Sequence, residues 1–160
     1  MIYTKQNIVI GAVLYSTGDM IATIVLDQFS WIRFFGMLLI GATIYAYEIP
    51  NYFIWIEKRA HNLTGIKKTI NKTILALAFF NPLWVARHLF FIYFFSQNFE
   101  AINMNIFVIA FWSFVVNIPI SLLANYIIQN KIKLYWRFLA STLFSGLMAV
   151  YYAMSESWFG

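Results

Sequence analysis

Residues 103–129, NMNIFVIAFWSFVVNIPISLLANYIIQ, decide how the chain has to be read. No side chain in this run is charged, and the charge-free stretch extends from Ala101 to Asn130. As a helix rising 1.5 Å per residue, about 20 apolar residues cross the roughly 30 Å hydrocarbon core of a bilayer. The run is long enough to span, and to tilt or enter the interface as well. Its polar residues Asn117, Ser121 and Asn125 recur every four residues, so they form one stripe on a helix, with Pro119 within it. Such a stripe is either helix–helix glue, worth about 0.6 kcal/mol per hydrogen bond on average, or the lining of an aqueous path.

Working outward, four further apolar segments run over about 7–26, 31–56, 72–95 and 134–154. The last begins in a basic, aromatic turn (Leu134, Tyr135, Trp136, Arg137), so an interfacial start and an incomplete span both stay open. Composition agrees with the segments. Of 160 residues, 62% are hydrophobic and only 11% charged, which leaves too little polar surface for a soluble protein this small. The absence of Cys excludes disulfides, thiol catalysis and thiolate metal sites. The first segment has a basic start and an apolar core, as a signal peptide would. It continues to Leu26 without a small-x-small site and reads as a retained span.

Charge sets the expected orientation. Lys5, the loop with Lys58, Arg59, Lys67, Lys68 and Lys72, and the loop with Lys131, Lys133 and Arg137 alternate with the opposite side. That side carries Asp27, Glu100 and Glu156, with Arg33 as its one basic exception. The net charge of +5 is therefore a topology signal, and nucleic acid is not an expected partner. The expectation is an all-α polytopic membrane helix bundle. It is a single transmembrane domain over 1–160 with five transmembrane helices, N-terminus in and C-terminus out. Asn62-Leu63-Thr64 matches a glycosylation sequon but falls on the inner side, in a turn. Trp31, Trp55, Trp136 and Trp158 fall near segment ends, as an aromatic belt would; Trp84 and Trp112 lie deeper, where each either packs or lines a pocket.

Function is to be sought where ionisable groups lie at bilayer depth, because they are costly there and normally face protein, a partner or water. There are four: Asp19, Glu48, Arg87 and His88. Asp19 adjoins Gly18, which shares a helix face with Gly11 and permits close helix approach. It is either half of a structural ion pair or a proton- or substrate-linked carboxylate. Tyr45, Glu48 and Tyr52, spaced three and four apart, form one polar-aromatic face. Pro50 lies inside it, and either frees a carbonyl at a binding site or merely bends the helix. Arg87 is too deep to snorkel, so its economical partner is Asp19 or Glu48. His88 points about 100° away from Arg87 and need not share its site. The expected interior set is Asp19, Glu48 and Arg87, with the Asn117–Ser121–Asn125 stripe as a fourth wall and Pro50, Pro82 and Pro119 as kinks.

Two histidines, one of them in the basic loop, make no metal site, and no cofactor is expected. No HExxH, GxSxG or phosphate-binding glycine loop is present, so an enzyme is not expected.

Two resemblances follow from these residues. Gly18-Asp19-Met20-Ile21-Ala22, Arg33, Gly36, Gly41 and Ile118-Pro119 followed by Asn125-Tyr126 resemble the Mpv17/PMP22 family of small integral membrane proteins. Thr23 and Leu122 stand where that family has glutamines, and Ala46-Tyr47 replaces a Trp-Tyr pair. Arg33, Gly65, Lys68, Phe79 and Pro82-Leu83-Trp84-Val85-Ala86 are similar to a family of small bacterial L-alanine exporters, with Lys72 replacing an acidic residue. The first resemblance implies channel-like solute conduction, and the second implies amino-acid export across a bacterial inner (cytoplasmic) membrane.

The expected function is a membrane transporter or channel for a small polar solute, an amino-acid exporter among the options. Its expected partners are the lipid bilayer and the solute or amino acid; a homo-oligomer is left open. The alternative is a non-transport protein (structural, immunity or assembly factor) whose buried charges are salt-bridge packing.

Overall fold

The computed structural model describes residues 2–159, and their side chains except those of 149–150 and 152–159. Among the described residues every regular element is helical. They are α1 (Lys5–Val25), α2 (Trp31–Ile40), a π turn (Gly41–Tyr45), α3 (Ala46–Arg59), α4 (Gly65–Phe79), α5 (Pro82–Phe95), a 3-10 turn (Phe99–Ala101), α6 (Asn105–Lys131) and α7 (Leu134–Phe159). The elements α2, π turn and α3 run on as one unit of 29 residues, and α4 with α5 as a broken unit of 31. Together with α1 and α6 these make four units long and apolar enough to cross a membrane. The fifth, α7, is a 26-residue helix packed on α1 and α6. Its later part, with Glu156 and Trp158, lies outside the described side chains. The third segment starts at Gly65 instead of at 72, which puts Lys72 about two turns inside the helix.

The helix α6 is inside-out relative to one in a water-soluble bundle. On α6 the buried face carries Ser113, Asn117, Ser121, Asn125 and Gln129, while Phe111, Trp112, Val116, Ile120 and Leu123 are exposed. In water the hydrophobic effect would turn that helix over. In hydrocarbon the opposite rotation is stable, because polar groups then find partners only inside. The stripe read as three residues is thus five, continuing at the same spacing in both directions.

Two close crossings organise α1. A Cβ built on Gly41 would lie 2.3 Å from the Gly11 carbonyl oxygen, and one on Gly18 would lie 2.7 Å from Gly146 Cα. Backbone meets backbone at both places, so Gly11 and Gly18 do share one contact face. Gly41→Ala is expected to cost about 1–3 kcal/mol, because no side chain there can move aside. Thermal unfolding in detergent micelles measures it; an unchanged midpoint would mean that α1 and the π turn are not in contact.

The π turn begins at this crossing. The Ala46 N–H reaches back to the Gly41 carbonyl, five residues away, so one extra residue is accommodated and every later side chain is rotated about 100°. Pro50 and Pro119 lie inside continuous helices. Pro82 does not, contrary to the expected kink. The helix stops at Phe79, and Asn81 caps a new one by accepting from the N–H groups of Leu83 (2.9 Å) and Trp84 (3.1 Å). Pro82 takes the first position of α5, where its missing N–H costs nothing.

Candidate functional site

The charges within the helices sort into three separate groups, and the first joins Asp19 to Arg33. Arg33 Nε donates to Asp19 Oδ2 at 2.8 Å and Nη2 to Oδ1 at 2.6 Å, a two-pronged pair with side chains only 4% and 3% exposed. Arg33 Nη1 also reaches Ser96 Oγ at 3.4 Å, which ties the end of α5 to α1 and α2. The short connection 26–30 brings α2 back beside α1 at the depth of Asp19, and Ser30 caps α2 so that Arg33 lies in its first turn. Arg33, the apparent exception in the charge pattern, is therefore the partner of Asp19, and Arg87 is not.

Arg87 pairs instead with Glu48. Its Nη1 and Nη2 donate to Glu48 Oε1 and Oε2 at 2.9 and 2.7 Å, with both side chains 34% exposed. The π turn re-aims Tyr45 into the core, against Tyr15 (rings 4.5 Å apart) and Trp84 (5.4 Å). The Tyr45 hydroxyl is hydrogen-bonded to His88 Nδ1 at 2.9 Å, and His88 stacks on Trp84 at 5.5 Å. Arg87 lies 5.8 Å from the Tyr45 ring centre. His88 thus belongs to the same cluster as Tyr45 and Arg87, against its expected separation. The 100° between neighbouring residues did divide them, but Tyr45 is large enough to touch both. Tyr52, one face along, donates to the Leu75 carbonyl at 2.9 Å and stacks on Phe79.

The third group was not singled out from the sequence. Glu57 Oε1 accepts from Lys72 Nζ at 2.5 Å and from Arg137 Nη1, and Arg137 Nη1 also lies 3.3 Å from Gln129 Oε1. Lys72 and Arg137 are buried although sequence placed them in basic loops. This node joins α3, α4, α6 and α7 at the basic end of the bundle.

Apart from Gln129, which meets Arg137 at the end of the stripe, the polar face of α6 touches none of these ion pairs and is not their common wall. It faces a small internal cavity at the α4–α5 break, of about 20 Å³. Ser121 and Asn125 from α6, Ser141 and Ser145 from α7, and Trp84 supply its polar lining; Phe80, Phe144 and Met148 complete the wall. Inside the stripe, Asn117 Nδ2 donates to Ser121 Oγ and Asn125 Nδ2 to the Ser121 carbonyl, each at 2.9 Å. Tyr15 donates to Ser145 Oγ at 3.4 Å. Trp84 Nε1 and Asn117 Oδ1 are buried without a hydrogen-bond partner among the described residues. A volume of this size holds one water-sized molecule. Trp84 was open to either packing or lining a pocket, and it lines this one; Ser141 and Ser145 were not singled out, although their four-residue spacing puts them on one face of α7.

Among the described residues no group of three or more His, Asp or Glu side chains is placed to hold a metal. The chain matches no protein-family model, no curated protein and no solved structure.

Proposed function

We propose that the protein is an integral membrane protein, with α7 as a fifth span, that conducts a small polar solute through the cavity at the α4–α5 break. The observation that carries this reading is the coincidence of a discontinuous helix with a neutral polar cavity beside the inward polar face of α6. Broken helices at membrane depth are tolerated where they line a cavity, and transporters place their substrate sites there. The charge asymmetry of the connections supports an N-terminus on the inner face, and a bacterial inner membrane is the proposed home.

Flux into proteoliposomes tests it. Wild type is expected to move at least one small polar solute down a gradient. Asn125→Leu, which fills the cavity with an apolar group, should cut that flux about ten-fold or more at unchanged folded yield. No solute movement under any gradient sinks the proposal. A non-transport role is favoured by a different observation: among the described residues every charge buried within the helices has a counter-charge in the same chain. On that reading Arg87→Ala lowers folded yield and there is no flux to lose.

A further inference from the structure

From the lining of the cavity we infer a substrate class: an uncharged, hydrogen-bonding solute, with amino acids and ions excluded. The inference rests on the conduction reading above and narrows it. Every residue lining the cavity is neutral, and its polar ones are Trp84, three serines and Asn125. The charges inside the bundle are consumed elsewhere. Asp19 holds Arg33, Glu48 holds Arg87, and Glu57 holds both Lys72 and Arg137. The other described charges, Lys5, Asp27, Lys58, Arg59, Lys67, Lys68, Glu100, Lys131 and Lys133, are exposed or half-exposed.

A charged solute entering the cavity loses its hydration and meets no counter-charge, which is strongly unfavourable. A zwitterion such as alanine carries that penalty twice. A neutral molecule loses only hydrogen bonds, and the cavity can return them. Trp84 Nε1 is a buried donor with no partner among the described residues, in a side chain only 6% exposed. The serine hydroxyls can both donate and accept. An indole N–H selects an acceptor oxygen, so a carbonyl or hydroxyl solute is complementary. The cavity admits a single water-sized molecule, so passage of anything larger requires Phe80, Phe144 and Met148 to give way and permeability should fall with solute size.

The test uses purified full-length protein in sealed proteoliposomes. Stopped-flow light scattering reads permeability to formamide, urea and glycerol, and labelled uptake reads alanine in the same vesicles. The expected result is neutral-solute permeability at least several-fold above protein-free vesicles, in the order formamide, urea, glycerol, with alanine at the protein-free level. Trp84→Phe keeps the ring and removes the N–H; it should lower urea permeability about ten-fold at unchanged folded yield. If that variant does not fold, Ser141→Val carries the same expectation. Alanine uptake at a rate comparable to urea overturns the substrate class and leaves conduction standing. Movement of none of the four probes overturns both. Urea permeability unchanged in a folded Trp84→Phe or Ser141→Val overturns the placement of the path.

Discussion

Arg33→Met is expected to lower the stability of the bundle by about 3–5 kcal/mol, because it strands a charged Asp19 where water does not reach. Both side chains are essentially enclosed, and the carboxylate takes both of its short contacts from this one guanidinium. A second change should undo most of the damage. Removing Asp19 as well, in Asp19→Leu with Arg33→Met, eliminates the uncompensated charge and leaves apolar groups of similar length. Replacing a whole buried ion pair in this way is often neutral or stabilising. The measurement is thermal or denaturant unfolding of wild type, both single variants and the double variant in one detergent. A double variant as unstable as the worse single one would mean that the two residues do not compensate each other.

Glu57→Gln is the second large effect, and its signature is an asymmetry. One carboxylate holds two buried cations, so removing it leaves Lys72 and Arg137 close together with no counter-charge. The expected loss is again about 3–5 kcal/mol. Removing one cation does much less. In Lys72→Met the carboxylate keeps Arg137, which also donates through Nε to the Ile132 carbonyl at 2.9 Å. That variant should lie within about 1 kcal/mol of wild type, the scale of a single net hydrogen bond. Glu57→Gln combined with Lys72→Met should recover part of the loss, since only one cation is then left over. Equal destabilisation by Glu57→Gln and Lys72→Met would rule out the shared carboxylate. Because the node joins four helices at one end, cysteine cross-linking between α4 and α7 should report its opening independently.

These two groups also mark the limit of reading the residues alone. Asp19 was visible as a costly charge, but its partner was not, because Arg33 lies near a segment end where a cation needs no special explanation. The odd position of Arg33 on the acidic side was the signal, and depth matching across the 26–30 connection would have used it. Lys72 and Arg137 were hidden by a different rule. Basic residues flanking spans normally report topology, and nothing local separates an exposed lysine from one folded back onto Glu57. His88 was separated from Arg87 by counting 100° per residue, but Tyr45, turned inward at the end of the π turn, reaches both of them.

By itself, the sequence determined the helical segments, their apolar length, the inward polar stripe of α6 and the glycine face of α1. Each of these depends on composition and period within one helix, where backbone hydrogen bonding and the cost of burying polar groups act locally. Only the tertiary structure decided which charge meets which, where the third segment breaks, and that a neutral cavity lies apart from the ion pairs. Those outcomes depend on how far each helix is rotated and how closely two backbones approach. A rotation of one residue, such as the π turn introduces, exchanges the partners of an entire face without changing any helix's composition.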